Sequence, residues 1–189
     1  MNDSKENIIK SSLSLFLRNS YAGVSMRDIL NKSGLSRGAF YHYFESKEAC
    51  FEECVKYYIT QVTHPEPTDY TNERLKAFLE DNIRRMSRIS DNITASNKLL
   101  FFNEAIKIIP HFAKFMERRN AEELAIWAKV AENAVKSGEI TDCIPPMELA
   151  AMFISQCDGV MVMGDATTNN GGYTEVERQW NNLYSLIKK

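Results

Sequence analysis

Three residues that punctuate helices, Ser25, Gly34 and Ser36, constrain this chain most. Ser25 with Asp28 three positions on has the pattern of a capping box, in which a serine and an acidic side chain satisfy orphan N–H groups at a helix start. Gly34 stands where that helix must end at positive φ. Ser36 then caps a second helix. Two short helices joined by a tight turn form the grammar of a helix-turn-helix.

The second helix has two faces. Phe40, Tyr43 and Phe44 recur at i, i+3 and i+4, so they share a side and point inward beside Ile29 and Leu30. Arg37, Gly38, Tyr41 and His42 occupy the opposite side. A basic residue at a helix start, followed by aromatics that hydrogen-bond, suits the major groove of DNA. An ordinary helical hairpin with a solvated polar face shows the same pattern, and this stretch alone does not separate the two readings.

The flanking sequence supplies context. Asp3 to Asn19 reads as a helix with Asp3 and Glu6 as a box-like start and Ile9, Leu13, Phe16 and Leu17 as an apolar stripe. Tyr21-Ala-Gly reads as a turn. The three helices predict a small core of Leu13, Phe16, Leu17, Ile29, Leu30, Leu35, Phe40 and Phe44. A unit of this size buries little surface, so it should lean on the chain beyond it. Ser46 starts a fourth helix, Lys47 to about Thr63. Lys47 at its N-terminus opposes the helix dipole, and either a DNA phosphate or water must offset it. His64-Pro-Glu-Pro-Thr then breaks the chain. Residues 1–50 carry seven Lys/Arg against five Asp/Glu, +2, and the remainder 16 against 20, −4. A basic head ahead of an acidic body fits a head that meets DNA and a body that does not.

Beyond the break the pattern is helical throughout: Thr71–Ser90, Ala95–Ile109, Phe112–Ser137, Met147–Met163 and Tyr173–Lys189, the last with Thr174 and Glu177 as a capping box. No alternating strand pattern occurs, so the expected fold class is all-α. The chain has no apolar run of the ~18 residues that a membrane span needs. It opens on a polar Met1–Lys10 rather than a signal peptide. Its four cysteines therefore read as reduced thiols of a cytoplasmic protein. The three histidines lack metal-ligand spacing, no Ser/His/Asp set is evident, and Gly164–Gly172 lacks the Lys-Ser/Thr ending of a phosphate loop. The expectation is a non-enzyme with no cofactor and no metal.

Gly23-Val-Ser-Met-Arg-Asp-Ile and Gly34-Leu-Ser-Arg-Gly-Ala-Phe-Tyr-His-Tyr-Phe-Glu-Ser-Lys-Glu-Ala resemble the signature of the TetR family of bacterial transcriptional repressors nearly throughout. One departure is Cys50, where the family usually has leucine. The resemblance covers about 45 residues and is silent on any ligand. It implies a fold of nine or ten helices, with a three-helix DNA-binding head over residues 1–46 and a ligand-binding and dimerisation body over 47–189. It further implies a homodimer, formed through the last two helices, that binds a palindromic operator in double-stranded DNA. A small-molecule effector in the body would release it. Carried over by position, the DNA contacts are Ser25, Arg27, Ser36, Arg37, Gly38, Tyr41, His42 and Lys47.

Two further sets come from residue type. The apolar surface of the last two helices predicts an interface of Leu149, Met152, Val160, Trp180, Leu183, Tyr184 and Ile187, with Phe153 beside them. Aromatic and methionine side chains suited to a bulky apolar effector are Phe78, Met86, Phe101, Phe102, Phe112, Phe115, Met116, Trp127 and Phe153. Gln156 and Asp158 interrupt an otherwise apolar helix and need polar partners, in a ligand, across a dimer or in solvent. A body that binds a protein partner, and an all-helical ligand carrier without DNA binding, stay open as alternatives.

Overall fold

The computed structural model describes residues 3–62, 74–88, 95–164 and 172–189, with backbone only at 3, 61–62, 87–88, 95–96 and 161–164. The expected break at 64–68, the helix start at Thr71, the Asp3 cap and the loop at 165–171 lie outside the described residues or side chains. Among the described residues the chain forms nine helices: α1 Asp3–Gly23, α2 Met26–Ser33, α3 Arg37–Tyr43, α4 Lys47–Val62, α5 Leu75–Arg88, α6 Ala95–Ile108, α7 Phe112–Lys136, α8 Pro146–Gly164 and α9 Tyr173–Ile187. They fall into two compact units, Met1–His64 with Ser96–Ala113, and Pro65–Ala95 with Lys114–Lys189.

In the first unit α1 packs on α2 and α4. Phe16, Leu17, Ile29, Phe40 and Phe44 are buried as the stripes require, while Leu13, Leu30 and Leu35 are only half-buried. The helix α4 completes this core with Cys50, Phe51, Cys54 and Val55, all fully buried. Phe51 stands edge-on to Phe16 at 5.0 Å and to Phe101 of α6 at 5.2 Å. Each such ring contributes about 1.5–3 kcal/mol by leaving water. The Cys54 thiol donates to Ile9 O at 3.4 Å, so this pair of cysteines acts as small core residues.

The second unit is built on a cluster of four aromatic rings. Trp127 of α7 meets Phe78 of α5 edge-on at 4.9 Å, Trp180 of α9 at 5.2 Å and Phe153 of α8 at 6.1 Å. The Trp180 indole Nε1 donates to Phe153 O at 2.9 Å, which satisfies a buried N–H. Gly138, at φ 76°, ends α7 and turns the chain so that Glu139 enters the interior. Only 8% exposed, Glu139 accepts from Leu75 N and Lys76 N at 3.0 Å each and from the Tyr184 hydroxyl at 3.0 Å. One buried carboxylate thus caps α5 and pins α9.

One expectation needs correction. The helix α9 begins after Gly172, whose φ is 78° and which makes no side-chain cap bond. Thr174 therefore sits inside the first turn, where it cannot cap, and Glu175 pairs with Arg178 and Gln179 instead. The residues expected at a dimer interface mostly face their own chain. Leu149, Val160, Trp180, Leu183 and Ile187 are 1–9% exposed, because the stripes of α8 and α9 close on each other and on α5. Tyr184 is half-buried and bonded to Glu139. Met152 stays open at 40%, as do Met147 at 50% and Leu186 at 81%.

Candidate nucleic-acid interface

The capping box forms as the sequence requires. The Ser25 Oγ accepts from Asp28 N at 3.2 Å, and the Asp28 Oδ2 accepts from Ser25 N at 2.8 Å and from Ser25 Oγ at 2.6 Å. These bonds, the Ser25 hydroxyl first, hold the Asp28 carboxyl below the usual carboxylate range. Gly34, at φ 70°, closes α2 with its N–H on Leu30 O. Ser36 caps α3 through Ala39 N at 3.2 Å, which leaves its O–H able to donate outward.

These caps fix the direction of α3, and Phe40 and Phe44 lock its inner face into the core. Arg37, Gly38, Tyr41 and His42 are all exposed on the other side, with Arg27 exposed on α2. The Arg37 guanidinium lies 5.6 Å from the Tyr41 ring centre, a cation–π contact that holds both outward. Tyr41 in turn braces edge-on against Phe40 at 5.5 Å. Tyr43 is half-buried beside His42, their rings 4.9 Å apart.

Gly38, the second residue of α3, lies within this exposed face. A Cβ built there would meet nothing within 4 Å. A glycine inside a helix costs about 0.5–1 kcal/mol relative to alanine. Nothing in the chain's own packing offsets that cost at Gly38.

Lys47 behaves differently from its neighbours. Its Nζ donates to Tyr21 O at 3.0 Å and Val24 O at 2.9 Å, and lies 3.9 Å from the Tyr21 ring centre. The offset expected from a phosphate at the start of α4 is thus already met within the chain, with one of the three ammonium donors left over.

Tyr21, which the sequence shows only as part of a turn, is the hub of this corner. The backbone leaves helical geometry just before it, at Ser20 with φ 62° and ψ 164°. That strain presents Tyr21 N to the Glu104 carboxylate of α6 at 2.7 Å. The Tyr21 hydroxyl donates to Glu48 Oε1 at 2.6 Å. Burial, and then this bond, push the phenol pKa up, while the same bond holds the Glu48 carboxyl down. Ser20 carries no composition signal for this. An aromatic one residue before the Ala-Gly turn, with an acid next to Lys47, was the only hint.

The residues expected to line an effector pocket are divided between the units. Phe101 and Phe112 are buried in the first, with Phe102 stacked on Phe112 at 6.5 Å. Phe78, Trp127 and Phe153 form the aromatic cluster of the second. Met86 is half-buried there and takes the Cys157 thiol at 3.5 Å, Met116 is half-buried, and Phe115 is 36% exposed. The Gln156 side-chain oxygen is buried without a hydrogen-bond partner.

Residues 8–54 match the model of the bacterial regulatory proteins, tetR family. Over 59 residues, 31% of this chain, it is 44% identical to the HTH-type transcriptional regulator YerO of Bacillus subtilis, but that match spans only 20% of YerO. It is 24% identical to the HTH-type transcriptional repressor AcnR of Corynebacterium efficiens, over 92% of this chain and 88% of AcnR. The fold is similar to that of a transcriptional regulator from Saccharomonospora viridis solved in complex with choline, with a TM-score of 0.78 and 15% identity across the whole of both chains. A capped helix-turn-helix with an open basic-aromatic face and this match to its module agree: residues 8–54 carry the module of the bacterial regulatory proteins, tetR family, on a chain whose whole fold is similar to solved regulators of that kind.

Proposed function

We propose that the chain is a homodimeric, cytoplasmic repressor that grips a palindromic operator through two heads and lets go when a small molecule enters the body. Gly38 carries the reading. This first-turn glycine of α3 has no internal packing reason, and it lies among exposed Arg37, Tyr41 and His42. Arg37 supplies charge-assisted bonds to phosphate or a guanine edge, Tyr41 a hydroxyl to phosphate and His42 a further donor. Ser36 adds its hydroxyl, and Arg27 and the Ser25 end of α2 meet the flanking backbone. Lys47 serves chiefly by holding the corner from which α2 starts.

A single head of this size reads one half-site, so pairing is part of the proposal. The exposed Met147, Met152 and Leu186 on the last two helices give a second copy apolar surface to cover. The relative AcnR is named as a repressor, and the similar Saccharomonospora protein holds choline. The first supports a repressor, and the second supports a body that answers a small molecule. Sedimentation equilibrium and fluorescence anisotropy on duplex DNA from beside its own coding sequence test this. The expected result is a dimer whose binding is lost in Tyr41→Ala while its mass is unchanged. A monomer, or equal binding by Tyr41→Ala, contradicts it.

A further inference from the structure

Glu104 stands on α6, 83 residues beyond Tyr21, yet one of its carboxylate oxygens accepts the Tyr21 backbone N–H at 2.7 Å within the first unit. The backbone is bent to allow this. Ser20, at φ 62° and ψ 164°, occupies a region that is essentially reserved for glycine. The Ser20 hydroxyl accepts from Gly23 N at 3.3 Å, so Ser20 caps the short last turn of α1, and Tyr21 is the first residue of that turn. The N–H of a first-turn residue has no partner inside its own helix. Strain of this kind persists only where the surroundings over-determine it, and at Tyr21 N the surrounding group is the Glu104 carboxylate.

Three further bonds carry the position of Tyr21 onward. Its carbonyl accepts from Lys47 Nζ at 3.0 Å and from Val24 N at 3.3 Å, and Lys47 Nζ also donates to Val24 O at 2.9 Å. Val24 adjoins Ser25, whose capping box starts α2. A polar relay thus runs from Glu104 through Tyr21, Lys47 and Val24 to the start of the helix-turn-helix. Its base is fixed. Phe101, three residues before Glu104 and fully buried, stands edge-on to Phe51 of α4 at 5.2 Å and to Tyr58 of α4 at 5.7 Å.

We propose that Glu104 is a positioning residue for DNA binding: as the acceptor of Tyr21 N it fixes the corner that aims α2 and α3. It acts through Tyr21 and does not itself meet the nucleic acid. The inference rests on the proposed DNA-binding role of the α3 face and adds to it a residue far outside the helix-turn-helix. A bare charge at this position predicts the opposite behaviour. A carboxylate in a DNA-binding head repels phosphate, so removing the charge alone tightens binding. Removing the acceptor weakens binding, and a neutral side chain that keeps the acceptor does not.

The test uses the full chain and a duplex that the parent protein selects from random sequence. Fluorescence anisotropy reads affinity, thermal melts read stability, and amide exchange in nitrogen-proton spectra reads the Tyr21 N–H. Glu104→Ala is expected to bind the duplex about tenfold or more weakly, as loss of a hydrogen bond to a charged group dictates. Its melting temperature stays near that of the parent, because the lost bond is offset by relaxation at Ser20. Glu104→Gln, which keeps one acceptor oxygen, binds at close to the parent affinity. Ser20→Gly removes the strain but not the bond, so it melts higher and binds as the parent does. The Tyr21 amide is protected from exchange in the parent and in Glu104→Gln, and loses protection in Glu104→Ala. Parent-like or tighter binding by Glu104→Ala, equal weakening by the Ala and Gln variants, or weakening that vanishes once the folded fraction is corrected for overturns the inference. So does an unprotected Tyr21 amide in the parent, whatever the variants do. A duplex bound equally by the parent and Glu104→Ala removes this inference alone, whereas a parent that selects no duplex removes the regulator reading and this inference with it.

Discussion

Lys47 and Tyr21 hold each other through a ring contact and a hydrogen bond. The ammonium lies 3.9 Å from the ring centre and 3.0 Å from the Tyr21 carbonyl, and a further bond to Val24 O at 2.9 Å ties the start of α4 to the corner before α2. Lys47→Met should therefore lower stability by about 1–3 kcal/mol through lost charge-assisted bonds. It should change the salt dependence of DNA affinity little. Arg37→Ala should do the reverse, leaving the melting temperature near that of the parent and lowering the salt slope by about one. Thermal melts paired with salt titrations separate the two roles. A salt slope reduced equally by both would place Lys47 on the phosphates.

The two glycines of the helix-turn-helix should respond oppositely to alanine. Gly34, at φ 70°, needs a left-handed backbone, so Gly34→Ala should cost about 1–2 kcal/mol. Gly38→Ala meets no atom within 4 Å and should stabilise the head by about 0.5–1 kcal/mol, as helix propensity dictates. It should nevertheless weaken DNA binding. Melting curves and anisotropy titrations on the two variants check both signs. Unchanged DNA affinity in Gly38→Ala would mean that no surface approaches α3 there.

Local rules explain why the helix-turn-helix was legible in sequence. Caps act over three residues, so Ser25, Asp28, Gly34 and Ser36 could be assigned from spacing alone. Other contacts depend on distant chain folding back. Tyr21 meets Glu104 across 83 residues, and Glu139 reaches the start of α5 across 64. No periodicity announces either. The stripe of Val176, Trp180, Leu183 and Ile187 was plain as an apolar face, but a stripe does not say what it faces. In the structure it packs on α5 and α8 of its own chain. Thr174 shows a further limit, since a two-residue shift in a helix start removes a capping box.

Glu139 should be among the most sensitive positions of the second unit. Glu139→Ala leaves two backbone N–H groups of α5 and the Tyr184 hydroxyl without their shared acceptor. The expected loss is about 3 kcal/mol. Chemical denaturation should show a lower midpoint. Glu139→Gln, which keeps one acceptor oxygen, should fall between. Parent-like stability in Glu139→Ala would contradict the role assigned to this carboxylate.

Burial raises the pKa of Glu123 on α7, and melting can read the sign of that shift. A carboxyl with a higher pKa when folded binds more protons in the native state, so its ionisation lowers stability as pH rises from the unfolded toward the folded value. Glu123→Gln should be parent-like in mild acid and more stable than the parent above neutrality. Thermal melts of both proteins between about pH 5 and pH 8 test this. A difference that shrinks with rising pH would reverse the assignment.

The central claim is that the α3 face reads double-stranded DNA. Selection from random duplexes by the purified protein, followed by rebinding with Arg37→Ala and Tyr41→Ala, tests it most directly. The predicted result is enrichment of an inverted repeat with half-sites about one helical turn or more apart, and loss of that binding in both variants. No enriched sequence, or an enriched sequence that both variants bind as well as the parent, would contradict it.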